Sequence, residues 1–154
     1  GFRHESDTAI YEMQIDNAMA LNEKLPPIKG IYYFSYACDA TILADDGTRS
    51  LDPELGGGMY KVSGARLCTY EGVTPSGYVI DEKWQANDGL VNTYSALVPI
   101  GAPSVDYNAD SVTTGIWNVM PVMRGNHSTL QGGMTKALNG RIFFVDLLSM
   151  INSL

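Results

Sequence analysis

The sequence predicts an α/β fold, and three stretches carry that expectation. Residues 16–25 (DNAMALNEKL) read as a helix and residues 31–37 (IYYFSYA) as a buried strand, the helix-then-strand order of the second half of a βαβ unit. Residues 113–120 (TTGIWNVM) supply another short strand late in the chain. The end, GRIFFVDLLSMINSL, repeats apolar residues at helical spacing and closes the chain with a helix.

Taken in order, the first helix has a candidate N-cap in Asp16, good helix formers, and a stop at Pro26-Pro27. The strand that follows is aromatic and bounded by Gly30. LADDGTRSL centres on Asp46-Gly47 and reads as a hairpin or exposed turn. From Leu51 to Tyr78 glycine and small polar residues dominate, which predicts a long ordered excursion; Gly56-Gly57-Gly58 lacks the strand-to-helix frame of a nucleotide-binding loop. Asn87-Asp88-Gly89 in WQANDGLVNT is tight-turn chemistry, because Asn and Asp bond their own backbone and Gly tolerates positive φ. RGNHSTLQGG reads as a loop. In the closing helix Ile142, Phe143, Leu147, Met150, Ile151 and Leu154 share roughly one face.

With 154 residues and 45% hydrophobic content the chain is expected to form one domain. Seventeen acidic against ten basic residues give a net charge of −7, which argues against nucleic acid or an anionic membrane surface as partner. No run approaches the length of a transmembrane segment, and the opening GFRHESDTAI has no leader-like apolar region. The chain begins without Met and reads as part of something longer. Cys38 and Cys68 lack CxxC spacing and are open to either one disulfide or two buried thiols.

Two histidines exist, His4 and His127, and no HExxH or CxxC pattern supports a metal site. A histidine on a Gly-Asn-His-Ser loop is ordinarily a surface or capping residue, yet a loop held by a scaffold is also where a general base sits. A hydrolytic triad needs an acid to fix the histidine tautomer and a nucleophile for the histidine to deprotonate. Asp88 precedes His127, the acid-then-histidine order of α/β-hydrolases, but no G-x-S-x-G occurs. Trp84 and Trp117 read as packing residues, Ser128 as a loop hydroxyl, Arg141 as a surface side chain of the closing helix, and Asp106 and Asp110 as loop carboxylates.

DEKWQANDGLVNT followed by GIWNVMPVMRGNH resembles the C-terminal half of the large secreted bacterial lipases of the staphylococcal and thermophilic-bacillus type. The likeness runs upstream through SDTAIYEM, ALNEKL, YYFSYACDAT and DPELGGG and downstream into GRIFFVDLL, nearly the whole chain in order. It implies that the chain is the C-terminal portion of an α/β-hydrolase sheet with flanking helices, 1–154 being part of a single domain. It also implies that Asp88 is the triad acid and His127 the triad histidine of a secreted serine lipase or esterase acting on acylglycerols or short-chain esters.

The same resemblance places the nucleophilic serine, the oxyanion-hole amides and much of the lid in a preceding half, which becomes the chain's expected partner. Glu12 stands where thermophilic members have a zinc aspartate whose co-ligands lie in that half, and STLQGGMT, where the family's calcium carboxylates lie, has none. Neither metal nor organic cofactor is therefore expected. The alternative function is a lipase-like binding or structural module without chemistry.

Overall fold

The computed structural model describes residues 8–132 and 139–154. His4 and residues 133–138, which include the end of the STLQGGMT stretch, lie outside that range. Its backbone is a mixed α/β arrangement. A short helix α1 (Ala9–Glu12) leads into α2 (Ile15–Lys24), which stops before Pro26-Pro27. Asp16 is not the N-cap of α2; Gln14 holds that position without a side-chain bond. The Asp16 carboxylate points to the chain far downstream, accepting from the Ser76 hydroxyl (2.7 Å), the Thr74 hydroxyl (2.5 Å) and the Ser76 amide (3.0 Å).

The expected strand 31–37 is broken into β1 (Tyr33–Ser35) and β2 (Cys38–Asp39). Opposite them run β8 (Trp117–Val119) and β9 (Met123–Arg124), both pairings parallel. Ser35 faces Val119 but Cys38 faces Met123, so one additional residue is accommodated in the later strand. The bulge falls around Pro121, which has no N–H to give to a ladder. Pairing survives across it through Met120 N to Ser35 O (3.1 Å), Met123 N to Ala37 O (2.9 Å) and Gly125 N to Asp39 O (3.1 Å). On the other flank of β8 lies β7 (Ser104–Asp106), also parallel, in the spatial order β1-β8-β7. Asp106, expected in a loop, thus closes a strand.

The Asp46-Gly47 turn is a hairpin between β3 (Thr41–Leu43) and β4 (Arg49–Leu51), with Asp46 accepting from the Thr48 amide (2.9 Å) and hydroxyl (2.7 Å). The expected irregular excursion holds a helix, α3 (Tyr60–Leu67), and a hairpin of β5 (Gly72–Val73) with β6 (Val79–Ile80). Gly64 masks α3 as a sequence signal, since glycine disfavours a helix interior. Packing requires it: a Cβ there would sit 2.7 Å from Leu51 Cδ2 and 3.0 Å from Asn87 Oδ1 and Gly89 Cα.

After the acid turn comes α4 (Thr93–Leu97), and the chain closes with α5 (Gly140–Asn152), capped by the Asn139 carboxamide. Phe143, Leu147 and Met150 face inward over Tyr36, Met120 and Met123, with Phe143 edge-on to Tyr36 at 5.2 Å. Ile142, Ile151 and Leu154, expected on the same face, are exposed together with Val145 and Leu148, so α5 is apolar on both sides. Among the described residues the buried apolar core is small: Ala37, Cys38, Ala40, Leu55, Cys68, Ile80 and Trp84. In all the chain exposes 10368 Å², where a compact monomer of this length would expose about 7,600 Å². Among the described residues no helix is long and apolar enough to cross a membrane.

The Asp16 tether gives a pH-dependent expectation. The Ser76 and Thr74 hydroxyls hold its carboxyl below the usual carboxylate range. A carboxyl lowered in the folded state stabilises above its unfolded value of about 4, and the stabilisation is lost as pH falls through the lower native value. Asp16→Asn is expected to lower Tm near neutral pH, with the gap to wild type closing on acidification below the ordinary carboxylate value of about 4. Thermal melts by circular dichroism across that range check it, and a gap independent of pH contradicts it.

Candidate active site

The acid turn begins where 3-10 residues Glu82–Trp84 deliver the chain beneath α3. Asp88 uses its two carboxylate oxygens differently. Oδ1 accepts from the amides of Leu90 (3.0 Å) and Val91 (2.8 Å), the ordinary work of a turn aspartate. Oδ2 lies 2.9 Å from His127 Nδ1. The His127 amide also donates to the Asp88 carbonyl (2.8 Å), so backbone and side chain both join the two loops. With Oδ1 immobilised by the turn, Oδ2 has one orientation to offer the imidazole.

The turn residues Asn87 and Gly89 hold it together with Ser63 and Tyr60, which the sequence does not single out. Asn87 is fully buried: its carboxamide donates to Gln85 O (2.9 Å), Gly64 O (3.2 Å) and Cys68 Sγ (3.4 Å) and accepts from the Gly89 amide (2.9 Å). The Ser63 hydroxyl donates to Gly89 O (2.5 Å). Gly89 has φ +102°, and a Cβ there would sit 2.6 Å from Tyr60 Cβ, so both its conformation and its space exclude a side chain. Tyr60 also stands edge-on to His127, ring centroids 6.5 Å apart. The one signal for Tyr60 and Ser63 is the Tyr-x-x-Ser-Gly spacing, one helical face of α3, which is unreadable without knowing that α3 is a helix.

Imidazole Nδ1 is committed to Asp88, the His127 side chain is 37% exposed, and among the described residues no hydrogen bond reaches Nε2. Chemically this pair can hold an imidazole as the Nδ1–H tautomer and leave Nε2 free to take a proton. The Ser128 hydroxyl is occupied by the Asn126 carboxamide (3.0 Å). Neither cysteine is primed as a nucleophile. Both are free and buried. Burial, reinforced by the Asp88 and Asp39 carboxylates, pushes the Cys38 thiol up to about 11, and burial likewise raises Cys68.

A cavity of about 460 Å³ between α2 and the 99–103 segment reaches Tyr33 and Trp117 at the starts of β1 and β8. Asp88 and His127 stand at the other end, His127 just past the close of β9, and carboxyl ends of parallel strands are where α/β proteins bind ligands. Glu12 is exposed at the end of α1, and among the described residues no three His, Cys, Asp or Glu side chains gather as metal ligands. The loop after His127 offers amide and hydroxyl oxygens without a carboxylate through Gln131, a poor set for a hard cation.

Folded protein is expected to resist iodoacetamide at about pH 8, where the Cys38 thiolate fraction is on the order of 10⁻³. Mass spectrometry should find two alkylations only after denaturation; rapid labelling of Cys38 in the folded state contradicts the arrangement.

No protein-family model matches the chain. It is 30% identical over 151 residues to the lipase of Staphylococcus hyicus, a match covering 96% of this chain and 22% of that protein. In structure it superposes on EstA from Clostridium botulinum with a TM-score of 0.84 at 25% identity, covering 99% of this chain and 36% of that one. It also superposes on the Staphylococcus hyicus lipase, at 0.76 and 25% identity over 97% of this chain and 37% of that one. Lipase 1 of Pelosinus fermentans gives 0.73 at 27% identity, over 90% and 37% respectively. The chain therefore spans well under half the length of each. In sequence and in fold, it is similar to one portion of the bacterial lipases of the staphylococcal type.

Proposed function

We propose that residues 1–154 are the C-terminal part of a single α/β-hydrolase domain and supply the acid and the general base of a secreted serine lipase or esterase. Asp88 orients His127 through Nδ1 and balances the charge of the imidazolium. Nε2 takes the proton of a serine hydroxyl as that oxygen attacks the ester carbonyl, then returns it to the departing alcohol. In the second half-reaction Nε2 takes a proton from water, whose oxygen attacks the acyl-serine, and gives it back to the serine. The serine and the oxyanion donors come from the remainder of the hydrolase domain. Acylglycerols or short-chain esters are the substrates.

The observation that carries this reading is the 2.9 Å contact of Asp88 Oδ2 with His127 Nδ1, made by a carboxylate whose other oxygen is pinned by two turn amides. The excess exposed area and the two-sided apolar α5 support a further part of the domain packing against the chain. The absence of a G-x-S-x-G from this chain is equally compatible with a lipase-like module that lacks chemistry.

A chromogenic-ester assay on the chain alone, and on the chain joined to the segment encoded before it, separates the two. The chain alone is expected to be inactive, having neither nucleophile elbow nor oxyanion donors. The joined protein should hydrolyse esters, His127→Ala should abolish nearly all turnover, and Asp88→Asn should lower it by about 10⁴ through the wrong tautomer. Both variants should keep the wild-type circular dichroism spectrum. Hydrolysis by the isolated chain, or a fully active His127→Ala variant, overturns the assignment; a folded but silent joined protein supports the module.

A further inference from the structure

The histidine loop is fastened on both sides of Gly125 to one turn, 52–56, which among the described residues makes no hydrogen bond to Asp88 or to the His127 ring. On the near side the Arg124 guanidinium pairs with the Asp52 carboxylate (2.5 Å). On the far side Asn126 Nδ2 donates to the Leu55 carbonyl (2.9 Å). The turn is itself rigid: the Asp52 amide donates to Ala40 O (2.8 Å), and the Asp52 carbonyl and carboxylate accept from the amides of Gly56 and Glu54 (both 2.8 Å). Its anchor, Ala40, directly follows β2, the strand paired with β9 ahead of the histidine.

Asn126 is 6% exposed and satisfied at both ends. Its Oδ1 accepts from the Ser128 amide (3.1 Å), the Ser128 hydroxyl (3.0 Å) and the Thr129 hydroxyl (3.3 Å), and the Asn126 backbone N–H donates to Thr129 Oγ1 (2.9 Å). Thr129, 2% exposed, lies so close to Gly125 that a Cβ there would be 2.7 Å from Thr129 Cγ2 and Oγ1. The His127 side chain leaves this cluster for Asp88, in another part of the protein. Buried carboxamide networks of this kind hold a backbone rigidly because every broken bond strands a desolvated polar group.

We propose that Asn126 is a positioning residue for His127. By bridging the Leu55 carbonyl to the 128–129 segment it fixes the loop so that the imidazole meets Asp88 through Nδ1 and leaves Nε2 open. Catalytic groups need placement within about 0.5 Å, and a loop gains that only from the groups behind it. The inference deepens the hydrolase reading and rests on it for its catalytic consequence, but the geometry it claims is measurable without a substrate.

The test reads the tautomer of His127 from its ring ¹⁵N shifts in histidine-labelled protein, with His4→Gln removing the only other imidazole. Wild type should show the Nδ1–H tautomer. Asn126→Ala and Thr129→Val should give a tautomer mixture, and in the joined protein a kcat lower by on the order of 10² with little change in KM. Thr129→Ser keeps the hydroxyl and should behave as wild type. Asn126→Asp keeps the acceptor but loses the donor to Leu55, and should resemble Asn126→Ala. Should Asn126→Ala fail to fold, the Thr129→Val and Thr129→Ser pair decides. Unchanged ring shifts in a folded Asn126→Ala or Thr129→Val variant overturn the proposal, as does a tautomer mixture in wild type. Ring shifts that respond as expected, while neither the chain alone nor the joined protein hydrolyses esters, uphold the positioning role and reject the hydrolase reading.

Discussion

The parallel pairing of residues 33–39 with residues 117–124 sets the position of everything else. One interruption divides it, and the extra residue around Pro121 changes the register by one between Ser35–Val119 and Cys38–Met123. In a parallel ladder a slip of one residue exchanges the two faces. The bulge therefore lets β8 present one set of side chains to the body of the fold while the strand end delivers Gly125-Asn126-His127 on the side where the acid turn lies. Bulges beside a functional loop commonly serve this re-aiming role. The acid turn is tied to the same strand pair: the Ala40 amide donates to Asn87 O (2.8 Å) and the Thr93 hydroxyl to Cys38 O (2.7 Å).

Buried asparagines take over work that a larger chain gives to a hydrophobic core. Asn87 and Asn118 have no exposed surface and Asn126 only 6%. Each carboxamide spans two segments: Asn87 joins α3 to the acid turn, Asn118 joins β1 at Tyr33 O (3.0 Å) to Thr113, and Asn126 joins the histidine loop to the 52–56 turn. A carboxamide offers two donors and an acceptor with two lone pairs, so one side chain can satisfy several loop backbone groups that no ladder reaches. Loops held in this way keep a fixed geometry although the buried apolar residues among those described are few and include the small Ala37, Cys38, Ala40 and Cys68.

The outer surface has the opposite character. Among the exposed residues are Ile142, Val145, Leu148 and Ile151 on one side of α5, and the total exposure far exceeds that of a closed domain of this length. Such a helix is stable where a second apolar surface covers it. Comparison with much longer chains accords with that: the similarity covers nearly all of this chain and little more than a third of theirs.

From the sequence alone the α/β class, α2 and its proline stop, the Asp46-Gly47 hairpin and the closing helix could be read, because each rests on local chemistry: capping, turn residues or periodicity. Asp88 and His127 were readable as candidates from their loop contexts and chain order. The rest depended on contacts between distant segments. Asp16 looked like a cap and instead binds Thr74 and Ser76, some sixty residues on. α3 was hidden because Gly64 is set by the approach of Leu51, Asn87 and Gly89 and not by helix propensity. The face of α5 that is buried was decided by where Tyr36 and Met120 stand, which no periodicity within 140–154 encodes. The 2.9 Å meeting of Asp88 with His127 likewise belongs to the tertiary structure, since two loops thirty-nine residues apart are brought together only by the strand pairing and the asparagine bridges beneath them.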